Sequence, residues 1–138
     1  MQLKAALTPF VFGILGILTT DILGSLAAVQ LDISYYWFAL VSLVNYAVAG
    51  HFIWRVSGMW TTILLTAAMG IFDGSAGFYI AAKLGAYGSG FTEAWIVLGM
   101  LAASISMIFM AGAFGALVAA VSKEYFPQHQ QIKGDHER

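Results

Sequence analysis

Four stretches of about twenty or more mostly apolar residues, almost free of charge, leave this chain little choice of fold. They run from about Ala6 to Val29, Tyr35 to Trp54, Met59 to Ala82 and Ala94 to Ser122. A helix needs about 20 apolar residues to cross the ~30 Å hydrocarbon layer of a bilayer, and each run is long enough. Charge sits at the boundaries: Lys4 precedes the first run, Asp32 and Arg55 flank the second, Lys83 closes the third, and Glu93 and Lys123 bracket the fourth. A backbone in lipid must satisfy its own hydrogen bonds, so the glycines and β-branched residues within the runs do not argue against helix. The expected fold is all-α: a polytopic membrane protein built as a four-transmembrane-helix bundle. The fourth run exceeds the hydrocarbon thickness, which predicts a tilt or an extension past the interface.

Composition makes lipid the natural solvent. Of the 138 residues, 60% are hydrophobic and 9% charged, whereas about a quarter of an ordinary soluble domain is charged. A soluble chain this short would leave much apolar surface in water. Residues 1–122 therefore read as one transmembrane domain. Residues 123–138, polar and containing Pro127, read as a cytoplasmic tail, a frayed helix end followed by disorder. A net charge of −1 offers no field to nucleic acid. The absence of cysteine excludes disulfides, thiolate metal sites and cysteine nucleophiles.

Four crossings put both termini on one side, together with the connection near Arg55. That side collects Lys4, Arg55, Lys123, Lys133 and Arg138, against Lys83 alone on the other. The positive-inside rule then predicts both termini cytoplasmic, in a plasma (inner) membrane. Aromatic residues mark the edges: Tyr35, Tyr36, Trp37, Tyr87, Phe91 and Trp95 outside, and Trp54, Trp60, Tyr125 and Phe126 inside. A competing reading makes the first run a signal peptide, cleaved after Ser25-Leu26-Ala27 and before Ala28. Its length and the position of Asp21 speak against that.

Asp21 and Asp73 are the only acidic residues inside the runs. Aspartate near the centre of a membrane helix costs about 2.5–3.5 kcal/mol, and leucine or isoleucine returns only about 0.3–0.6 kcal/mol. Both should face the bundle interior. Each lies 14 residues beyond Leu7 or Met59, about 21 Å above the inner boundary at 1.5 Å per residue. The matching depths, with the rhyme of Ala49-Gly50-His51-Phe52 and Ala111-Gly112-Ala113-Phe114, suggest two tandem helix hairpins in parallel. Three roles compete for the aspartates. They serve packing, hydrogen-bonded to Thr19, Thr20, Ser25 or Ser75; they form a proton or cation site, because close carboxylates in an apolar interior favour a shared proton; or they are solvated near the helix ends.

Asn45, on the line Ser42, Asn45, Ala49, is placed to hydrogen-bond a neighbouring helix and joins the aspartates as a polar candidate. His51 and Arg55, four apart, and Lys83 read as interfacial anchors, with Lys83 near Glu93 and a headgroup or substrate-phosphate contact as the alternative for the first two. His129 and His136 lack partners at ligand spacing, so no metal is expected. Small residues recur at helical steps in Gly13, Gly16, Thr20, Gly24 and Ala27, in Gly70, Gly74, Gly77 and Ala81, and in Ala111, Gly115 and Ala119. Such stripes let helices approach closely, within one bundle or between copies.

No nucleophile elbow, zinc-protease motif or phosphate loop occurs; Gly85-Ala86-Tyr87-Gly88-Ser89-Gly90 reads as an outer turn. No enzymatic activity and no cofactor are expected. The leading expectation is a membrane protein acting through helix–helix contacts as accessory subunit, assembly factor or self-associating bundle. Its partners would be the lipid bilayer and a homo-oligomer or larger membrane complex. The alternative is a small oligomeric transporter or channel handling a proton or cation through Asp21 and Asp73.

Overall fold

The computed structural model describes residues 2–88 and 92–125. Among them the chain is all-helical, and four helices are long and apolar enough to cross a membrane: Leu3–Leu31, Tyr35–Ser57, Met59–Lys83 and Glu93–Val118. The first is α1, Gln2–Leu31. A 3-10 turn, Tyr35–Trp37, leads into α2, Phe38–Ser57. The third combines α3, Met59–Phe72, a π-helical turn at Asp73–Gly77, and α4, Phe78–Lys83. The last is α5, Glu93–Tyr125, which carries the helix past Ser122. Residues 89–91 and 126–138, including Phe91, Phe126, Pro127, His129, Lys133, His136 and Arg138, lie outside the described residues.

The connections are short, so successive helices run antiparallel. Between α2 and α3 only Gly58 intervenes, with φ +86°, a conformation that favours a residue without Cβ. Its N–H donates to the Trp54 carbonyl at 3.0 Å, and its carbonyl accepts from the Thr62 N–H at 3.1 Å. The most extensive contacts join α1 to α2 and α3 to α5. Ala6, Ile17, Tyr46, Ala49, Ile53, Met69 and Ala111 form the shared core. Outward faces remain apolar, with Phe12, Trp60, Leu64 and Phe109 each two-thirds or more exposed. A water-soluble monomer rarely carries that much contiguous apolar surface.

The small-residue stripes are spent largely inside this arrangement. A Cβ on Gly13 would meet Met69 and Ala49, and one on Gly24 would meet Phe38. On Gly70 it would stand 2.5 Å from the Met107 carbonyl oxygen, and on Gly74 2.5 Å from Cα of Ser104. The third helix and α5 thus touch backbone to backbone, which only glycine allows. The third helix also departs from the uniform α-helix expected of an apolar run. Its π turn widens the backbone where Gly74 and Gly77 leave space, and such turns recur at functional sites.

Gly74→Ala should destabilise the protein by about 1–3 kcal/mol, since backbone atoms of Ser104 cannot rotate aside. That exceeds the ~1 kcal/mol alanine gains in helix propensity. Gly112→Ala, whose Cβ would meet only Ala67 at 3.9 Å, should lose nothing. Unfolding midpoints of both variants in detergent check the contrast.

Candidate functional site

The two interior aspartates meet across Gly77. Asp21 on α1 is 2% exposed, and Asp73, at the start of the π turn, is 9% exposed. A Cβ on Gly77 would lie 2.9 Å from Asp73 Oδ1 and closer still to Asp21 Oδ2, so these oxygens are less than twice 2.9 Å apart. Any larger residue at position 77 would stand in the space the carboxylates share. Asp21 Oδ2 is buried and has no hydrogen-bond partner.

The other oxygen of Asp21 and Oδ2 of Asp73 each accept a hydrogen bond from a tyrosine. The Tyr35 hydroxyl donates to Asp21 Oδ1 at 2.8 Å, and the Tyr46 hydroxyl donates to Asp73 Oδ2 at 2.9 Å. Tyr35 and Tyr46 stand eleven positions apart, about three helical turns, so they share a face. Ser42, itself buried, lies between them in sequence.

The hydroxyls expected from sequence do not fill this role. Thr19, Thr20 and Ser75 turn back to carbonyls four residues earlier, on Leu15, Gly16 and Ile71, and Ser25 Oγ is buried without a partner. Short side chains on a helix reach their own preceding turn more readily than a neighbouring carboxylate. Tyrosine spans the gap between helices.

Above the carboxylates lies a cavity of about 140 Å³ lined by both aspartates, Tyr35, Tyr36, Phe38, Phe78 and Tyr87 among others. Its rim is an aromatic cluster. Tyr87, in the turn after α4, stacks on Phe78 with ring centres 5.0 Å apart and meets Tyr35 edge-on at 5.3 Å. Burial, then the neighbouring Tyr36 and the charges of Asp21 and Asp73, push the Tyr87 phenol above its usual range, so it stays neutral. Tyr36 is 76% exposed and opens the rim outward.

The remaining sequence candidates stand elsewhere. Asn45 donates to Thr20 Oγ1 at 3.2 Å and faces α1 at Gly16. It lines an apolar groove of about 450 Å³ between α1 and α2, and is not among the residues lining the aspartate cavity. His51 and Arg55 lie near the opposite end of α2, where the His51 ring sits 5.6 Å from Phe52 and 6.5 Å from Trp54. Lys83 pairs with Glu93 across the far turn and lies 5.6 Å above the Tyr79 ring. Among the described residues, no three histidine or acidic side chains gather as ligands of a metal ion would.

No protein-family model, curated protein or solved structure matches the chain. The chemistry of the site must therefore be read from its own residues. Sequence reading treated Tyr35 as an edge aromatic and passed over Tyr46 and the separate importance of Gly77. The eleven-residue step from Tyr35 to Tyr46 was the available signal.

Tyr46→Phe should cost about 1–3 kcal/mol by leaving the Asp73 carboxylate without its donor. In a double-mutant cycle the cost should shrink once Asp73 is replaced by leucine. Equilibrium unfolding of the four proteins measures the coupling.

Proposed function

We propose that this chain is a small multi-pass membrane protein that handles a proton or a cation at the Asp21–Asp73 pair, as a transporter or channel. The observation that carries the reading is the unpartnered, buried Asp21 Oδ2 facing Asp73 across Gly77, beside a cavity. A carboxylate kept only for packing would have its oxygens satisfied, since a buried orphan acceptor costs about 1–3 kcal/mol. A proton shared between the carboxyls, or a cation beside them, removes that cost. Intramembrane acids lie on such paths by default. No catalytic machinery is needed.

In this reading the four apolar helices cross a plasma (inner) membrane as a bundle of two tandem hairpins. The Lys and Arg distribution keeps both termini and Gly58 cytoplasmic. The Tyr35–Tyr87 rim then faces outside. His51 and Arg55 anchor the inner edge of α2, and Lys83 the outer edge of the third helix.

A second reading is action through helix contacts, as accessory subunit, assembly factor or self-associating bundle. It draws support from α5, where Ala102, Ser106 and Ala113 form an exposed small-residue line that no helix among the described residues covers. The other stripes, turned inward, lend it little.

Reconstituted protein should carry protons across a vesicle membrane, read by an internal pH dye. Asp21→Asn and Asp73→Asn should each abolish the flux while keeping a cooperative unfolding transition. Absence of flux in the unmodified protein would end the transporter reading. The cysteine-free chain then allows Ser106→Cys crosslinking in native membranes to test the second. Reporter fusions should place the N-terminus, Gly58 and the C-terminus on the cytoplasmic side and Gly88 opposite.

A further inference from the structure

We infer that the cavity over the aspartates binds one small alkylated ammonium ion, which exchanges with the shared proton. This rests on the proton-or-cation reading and names its substrate class. Three features of the cavity select that chemistry.

The first is charge. Asp21 is 2% exposed, and its Oδ2 lies at Gly77, between the two carboxyls, with no donor to satisfy it. A ligand that brings positive charge to this point offsets the carboxylate charge. An anion would face two carboxylates, and the Tyr35 phenol beside them already donates to Asp21.

The second is the wall. Tyr35, Tyr36, Phe38, Phe78 and Tyr87 line one continuous space with the aspartates. Ring faces attract a cation within about 6 Å of their centres, and aromatic cages are the recurrent answer to quaternary ammonium ligands. A hard metal ion instead asks for six or more oxygen ligands. Apart from the two carboxylates, the phenols and Ser42, the residues that line this cavity carry apolar side chains. Methyl groups on nitrogen leave little hydration to replace and pack against carbon.

The third is size. A cavity of about 140 Å³ is small, so the ion that fits it carries few heavy atoms. It falls well below the ~300–1,000 Å³ of pockets for drug-sized ligands. Tetramethylammonium is the natural probe.

Exchange follows from competition for one oxygen. The pair holds one proton when the cavity is free of ligand. When the cation binds, one O–H bond breaks, the proton passes to water, and the net charge of the occupied site is unchanged. Proton and cation compete for one place, because the only buried, unpartnered oxygen of the described pair is Asp21 Oδ2.

Calorimetric titration of the purified full-length chain with tetramethylammonium, in two buffers of different ionisation enthalpy, tests this. Saturable binding with release of about one proton is expected, and no binding of the neutral, similarly sized tert-butanol. Tyr87→Leu should weaken affinity about tenfold while Tyr87→Phe, which keeps the ring, stays within about twofold. Tyr36→Leu replaces it if Tyr87→Leu does not fold. Absence of tetramethylammonium binding, equal affinity for tert-butanol, preference for sodium, or indifference to loss of the ring overturns the inference. Vesicle proton flux separates the two levels: flux without ammonium binding removes only this inference, and loss of both removes the proton-or-cation reading as well.

Discussion

Two carboxylates placed in an apolar interior set the terms for the rest of this molecule. Each carries a desolvation cost that several leucines would be needed to offset, so neither Asp21 nor Asp73 can face a hydrocarbon surface. The helices bring them to one point, where Gly77 gives both room, and the 3-10 turn and α2 each extend a phenol to them. The hydrogen bonds fix which face of α1, α2 and the third helix must turn inward. Apolar packing alone would specify these rotations weakly, because the outward surfaces are apolar too.

The close approach that this requires is made by residues that contribute no side chain. Gly70 and Gly74 bring the third helix onto the backbone of α5. Where lipid removes the hydrophobic drive between helices, such contact supplies dispersion attraction in its place. The π turn at Asp73–Gly77 belongs to the same solution. It widens the helix at the point where Asp73 must meet Tyr46 and Gly77 must admit Asp21. Stability and site share these residues, so the packing cannot be altered there without disturbing the carboxylates.

The carboxylates lie beneath an aromatic rim, away from the basic anchors at the other end of α2. Lys83 and Glu93 close the far turn without reaching into the cavity. Acidic groups and π-faces therefore act together in one small volume, with no fixed positive charge among the lining residues. The proposed cation site relies on that separation. Asn45, though polar and mid-helix, serves the seam between α1 and α2.

The number of helices, their approximate limits and the inward placement of Asp21 and Asp73 were legible in the chain, because they depend on local quantities. Run length against bilayer thickness and the solvation cost of an acid need no knowledge of the neighbours. The partners of those acids were not legible. Serines and threonines nearby in sequence were plausible donors, yet their hydroxyls close on their own helix turns. Tyr35, Tyr46, Tyr87 and the empty side of Gly77 take part only because separate helices approach at a particular rotation and spacing. That rotation is a property of packing between segments, so tertiary structure alone decided where the acids, the phenols and the cavity would coincide.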